Sequence, residues 1–219
     1  MNVHAEAVES ARARAQAYRL LASVLFRELD ADQLAFLAAN ELPCGEDERM
    51  RDGAQRIHRF LRLAPPDVLT RLRVDYARVF LAAGVYEGDT AVPFESVFTS
   101  EEGLMMQGAR DDVLRRYAQE SVTIDASLRT PEDHLAFEFE FLAITSDRIA
   151  DAWERGDGAE AERLASVQRD FLRDHVLNWI DQLAERVERF AEEPFYPAFM
   201  AYAAGFSAED AAFLEEAEG

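Results

Sequence analysis

Residues 130–148, T-P-E-D-H-L-A-F-E-F-E-F-L-A-I-T-S-D-R, limit what this chain can fold into more than any other stretch. They begin like a helix. Thr130 suits a cap, Pro131 the first helical position, and Glu132 and Asp133 put negative charge in the first turn. Wound at about 100° per residue, the segment leaves only Glu132, Ala136, Glu140, Ala143 and Asp147 on a narrow face able to meet water. Leu135, Phe137, Phe139, Phe141, Leu142 and Ile144 cover nearly all the rest. A helix apolar on most sides is buried by other helices.

Three polar residues interrupt that apolar arc: His134, Glu138 and Thr145. A carboxylate inside a protein costs several kcal/mol unless it is paired. Glu138 therefore needs a partner or a water-filled pocket, and His134, one turn earlier, is the nearest candidate. Two readings follow. The pair is a hydrogen-bonded core contact, or a cleft opens here and these groups line it.

The remainder is also helical in pattern. Val8, Ala11, Ala15, Tyr18, Ala22, Leu25 and Leu29 mark a first helix over about residues 5–28. Asp30 caps a short helix ending at Ala39, and further helices are expected over 48–63 and from Pro66 to near Gly84. The stretch G-V-Y-E-G-D-T-A-V-P-F-E-S-V-F at 84–98 differs. It holds two glycines, a proline and three aromatics, with no helical period until its end. A loop this apolar must pack on something. It is either a structured connector or the rim of a cleft presenting Phe94, Glu95 and Ser96. Helices are then expected over 100–119, with Met105 and Met106 together, over 130–155, and over 159–192 as one long element. Pro194 and Pro197 punctuate before a short apolar helix that Gly205 stops. Sustained strand alternation with hairpin turns is missing. The expectation is one all-α domain over residues 1–219, a bundle of about nine to eleven helices with a loop or hinge near 84–97.

Charge and composition narrow the function. A formal charge of −20 repels nucleic-acid phosphates and anionic membranes and favours cationic partners. All 23 cationic residues are arginine, so Schiff-base chemistry and a P-loop lysine are excluded. A single cysteine, Cys44, allows no internal disulfide and fits a reducing cytoplasm. The N-terminus has no basic region followed by an apolar run, and no run is long enough to span a membrane.

Catalytic patterns are wanting. No Glu stands three residues before a His, as a ferritin-like di-iron site requires, and neither H-E-x-x-H, G-x-S-x-G nor a Gly-rich phosphate loop occurs. His58 and His175 read as surface or satisfied core residues. The alternatives to a binding protein for a peptide are a metal-dependent helical enzyme using His134 and Glu138, or a general helical adaptor.

Two motifs join polar groups to aromatics: P-F-E-S-V-F at 93–98 and P-E-D-H-L at 131–135. In this order and separation they resemble those of the TorD/DmsD family of redox-enzyme maturation chaperones. Y-R-L-L-A-S-V-L-F at 18–26 is similar to the family's first-helix pattern. D-Y-A-R-V-F at 75–80 and E-F-E-F-L-A at 138–143 resemble two further family segments. Thr130 stands where the family often has glutamate, and Phe98 where it often has Tyr or Trp.

The resemblance implies a cytoplasmic chaperone, not an enzyme, that binds the twin-arginine leader, and sometimes the body, of a molybdenum-cofactor oxidoreductase precursor. Export is delayed until the cofactor is in place. By motif position Pro93, Phe94, Glu95, Ser96, Pro131, Asp133 and His134 would line the leader groove, and the helical argument adds Tyr76 and Glu138. An acidic rim can pair with arginines and an aromatic groove can take the apolar segment. Asp133 has a second reading as a helix cap. No cofactor or metal is expected. GTP binding is associated with some family members, but no phosphate-cradling motif occurs here. A hinge near residue 90 is compatible with a monomer or a domain-swapped dimer.

Overall fold

A computed structural model describes residues 3–83, 90–100, 105 and 108–216. Ten α-helices follow in order: α1 (Val3–Phe26), α2 (Ala31–Ala39), α3 (Glu48–Arg62), α4 (Val68–Phe80), α5 (Glu95–Thr99), α6 (Gly108–Gln119), α7 (Leu135–Glu154), α8 (Gly158–Phe171), α9 (Ile180–Phe190) and α10 (Phe195–Glu216). A 3₁₀ turn, Ala126–Leu128, precedes α7, and a π-helical segment, Leu172–Val176, follows α8. No strand forms among the described residues, only an isolated antiparallel bridge between Phe94 and His134. The fold is all-α, as the helical periodicity predicts. Residues 84–89 of the expected hinge loop, and Met106 beside Met105, lie outside the described residues.

The chain forms two compact units. One comprises Met1–Phe26, Phe94–Asn178 and Ala211–Gly219; the other comprises Arg27–Pro93 and Trp179–Asp210. In the first, α1 packs along α7 more extensively than any other pair of elements. That contact corrects the expected solvent face of α7, because Ala136 and Ala143 are buried. Small side chains let a second helix approach, and Asp147 at the edge of this face receives Arg12 and Arg19 from α1.

The polar interior of this unit centres on Gln168 of α8. Its amide nitrogen donates to Leu142 O at 2.7 Å and reaches Thr145 Oγ1 and Ser146 Oγ, each at 2.8 Å, while its carbonyl oxygen accepts from Arg14. Thr145 also returns its hydroxyl to Phe141 O at 2.8 Å. Thr145 is therefore part of a bridge from α7 to α8. Arg14, Thr145, Ser146 and Gln168 are all buried, so these hydrogen bonds are made away from water.

The second unit buries an aromatic cluster of Tyr76, Phe80 and Tyr196. Asp75, buried in α4, accepts the backbone N–H groups of Glu192 and Glu193 at 2.9 and 3.1 Å. Burial raises its pKa from the ordinary carboxylate value, against those two hydrogen bonds and the Arg78 charge. α2 begins with a full capping box between Asp30 and Gln33.

Several helix boundaries differ from the sequence pattern. The helix expected over 100–119 begins only at Gly108, and neither Ser100, which follows α5, nor Met105 is helical. The long helix expected over 159–192 is interrupted by the π segment and the turn around Trp179. α10 runs through Gly205 instead of stopping there. A Cβ at Gly205 would lie 2.4 Å from Met50 N and 2.7 Å from Asp47 Oδ1, so the glycine admits the first turn of α3. α7 begins at Leu135 and not at Pro131, with His134 as its N-cap. Asp133 and the backbone around it are engaged elsewhere.

Candidate functional site

The two motifs meet in the first unit. Glu95 N donates to Asp133 O at 2.9 Å, and Ser96 donates to Asp133 Oδ2 through its backbone N–H at 3.0 Å and its hydroxyl at 2.5 Å. Asp133 thus caps α5, where Phe94 at the N-cap position provides no side-chain acceptor. This is why α7 starts late. Residues 132–133 form a turn, Asp133 O and Oδ2 accept from Glu95 and Ser96, and His134 bridges Phe94; this tertiary pairing outweighs the local helix-start pattern of Thr130 and Pro131. Asp133 does not cap its own helix. Its other oxygen, Oδ1, is buried and without a hydrogen-bond partner among the described residues.

His134 caps α7 in its place. Nδ1 accepts the Ala136 N–H at 3.1 Å, which fixes the proton on Nε2. The ring sits among Phe94, Phe137 and Phe26, with centroids 5.0, 5.9 and 6.1 Å away. Burial among these rings lowers its pKa to about 4, so the imidazole is neutral at physiological pH.

Glu95 points inward. Its carboxylate lies 3.0 Å from His175 Nδ1 and accepts from Asn178 Nδ2 at 3.1 Å. His175 Nε2 lies 3.4 Å from Asp112 Oδ2 of α6. The π segment carries His175, so α5 and that segment are joined by the buried Glu95–His175 contact, with the partly exposed Asp112 of α6 and the exposed Asn178 at its two ends. His58, by contrast, is exposed.

The structure therefore brings Phe94, Glu95, Ser96, Asp133 and His134 together, with Pro131 and Glu138 on the same segment and helix. Of the residues expected to line a groove, only Phe94 and Pro131 are partly exposed; Pro93, Glu95, Ser96, Asp133, His134 and Glu138 are buried. Tyr76 is also buried, in the aromatic cluster of the second unit, and burial pushes its phenol pKa well up. Sequence reasoning missed His175, Asn178 and Asp112, and also Arg14 with Gln168. His175 alone gave a signal, as a histidine at an apolar register of a long helix. Among the described residues no cluster of three or more His, Cys, Asp or Glu side chains is placed to hold a metal ion. No helix among them is long and apolar enough to cross a membrane.

This all-α architecture, with its two motifs pinned in one unit, defines a class. Residues 45–185 match the sequence model of the nitrate reductase delta subunit family, and the chain belongs to that family. Its relatives there are TorD-type. The chain is 27% identical over 213 residues to the chaperone protein TorD of Vibrio cholerae serotype O1, covering 93% of this chain and 92% of that protein. It is 26% identical over 208 residues to the chaperone protein TorD of Vibrio parahaemolyticus, covering 92% and 94%. The chaperone protein TorD of Ferrimonas balearica is 29% identical over 187 residues, 81% of each chain. The function these relatives carry in their names is not an enzymatic one.

Proposed function

We propose that this chain is a maturation chaperone for a redox enzyme, and that it binds the twin-arginine leader of a molybdenum-cofactor oxidoreductase precursor in the cytoplasm. The observation that carries this reading is the family match together with relatives named as TorD chaperones along more than nine-tenths of the chain. Physical features support it. The −20 formal charge suits a partner rich in arginine. Phe94 and Pro131 offer apolar surface beside a region that hydrogen bonds hold rigid, and a preformed surface loses less entropy on binding. The chaperone acts by binding and release, with no covalent step, no resident cofactor and no metal.

Mass spectrometry of proteins that co-purify with the tagged full-length chain tests the reading. The expected result is molybdenum-cofactor oxidoreductase precursors with the leader still attached. Recovery of leaderless proteins alone would instead favour a general helical adaptor.

A further inference from the structure

The 3₁₀ turn Ala126–Leu128 lies over the outer edge of α7 and leaves Leu128 exposed. Two recesses open on either side of it, and both are lined by Leu128, Phe137 and Glu140. Toward α1 is a recess of about 260 Å³ that also includes Phe26 and Ala22. Toward α6 is a second, of about 170 Å³, that also includes Ile124 and Ile144. The walls are mostly apolar, and each recess accepts an aliphatic side chain.

Glu140 stands where the two recesses meet. It is half-buried and makes no hydrogen bond or ion pair among the described residues. The basic residue lining the first recess, Arg19, is engaged by Asp147. A segment that covered these recesses would desolvate the Glu140 carboxylate, which is unfavourable unless the segment brings a cation. A guanidinium meets the need better than an ammonium, since it pairs bidentately and stacks on rings such as Phe137 and Phe26. The complementary ligand is thus an apolar peptide segment carrying arginine.

We infer that Leu128, Phe137 and Glu140 form the seat of the leader peptide, with one leader arginine on Glu140 and apolar leader side chains in the flanking recesses. This rests on the leader-binding reading above and goes further by assigning the contact to residues outside the two motifs. Motif residues such as Asp133 and His134 then position the seat from behind.

Fluorescence anisotropy of the full-length chain with a labelled twin-arginine leader peptide tests the inference. A version with both arginines replaced by glutamine is the control. Two surface variants are compared, Glu140→Gln and Leu128→Ser, each with thermal melting to verify an unchanged fold. Glu140→Gln is expected to weaken the arginine peptide about tenfold, the effect of losing one charged hydrogen-bonded pair, and to leave the glutamine peptide unaffected. It should also flatten the salt dependence of binding. Leu128→Ser is expected to weaken both peptides. If the wild-type chain binds the arginine peptide and both variants bind it equally well, the seat is wrong while the leader-binding reading stands. If the wild-type chain binds neither peptide nor the full-length precursor, both fall.

Discussion

Lowering the pH should destabilise this protein through His134 in particular. The ring is 6% exposed, packed against Phe26, Phe94 and Phe137, and its Nδ1 must stay unprotonated to cap α7. Its pKa is about 4 in the folded chain against an ordinary 6.5. Between those values the unfolded chain binds more protons, so stability rises with pH and is lost as pH falls through the window from 6.5 to 4. Between pH 7.5 and pH 5 this residue alone should remove about 2 kcal/mol, since each unit of pKa difference is worth about 1.4 kcal/mol. For a chain of this length that is a fall in melting temperature of roughly 4–8 °C. The comparison is urea unfolding of wild type and His134→Asn at both pH values. Asparagine keeps a capping acceptor but does not titrate. The variant is less stable at pH 7.5 because of the cavity, yet it should lose about 2 kcal/mol less than wild type on going to pH 5. Parallel losses in the two proteins would refute the burial argument.

Three further substitutions probe the packing. Asp133→Ala leaves the Ser96 N–H buried without an acceptor and should cost about 2–4 kcal/mol in urea unfolding, whereas Ser96→Ala should cost about 1–2 kcal/mol. A double mutant as destabilised as the sum of the two would show that the pair is uncoupled. Gly205→Ala drives a Cβ into the first turn of α3 and should cost about 1–3 kcal/mol despite alanine's better helix propensity; a gain in melting temperature would contradict the close approach. Gln168→Leu removes one acceptor of Arg14 and the amide donor to Leu142 O and Ser146 Oγ, and should cost about 2–4 kcal/mol in urea unfolding; an unchanged midpoint would contradict the bridge.

The helical class was legible because alanine, leucine and glutamate at 3–4 spacing leave little room for another reading, and Asp30 marked its helix start through local chemistry alone. What failed were boundaries decided by distant partners. Pro131 and Glu132 look like a first helical turn, but Asp133 is drawn to Ser96, 37 residues earlier, and the helix begins four residues later than Pro131. Gly205 looks like a stop, but its missing side chain serves a helix–helix approach. The π segment has no propensity signal at all. The candidate site shows the same division. The two motifs could be picked out as unusual, and they do meet. Their burial could not be read, since residues that hold a surface from behind resemble residues that line it. Glu140, assigned by periodicity to a water-facing stripe, lies at the edge of that stripe where apolar recesses adjoin it.

The central claim is recognition of a twin-arginine leader, and calorimetric titration of the full-length chain tests it most directly. The leader peptide of a molybdenum-cofactor oxidoreductase should bind saturably, and the same peptide with lysine in place of both arginines should bind more weakly, because an ammonium cannot reproduce bidentate pairing with a carboxylate. No heat of binding with either the leader peptide or the full-length precursor would contradict it.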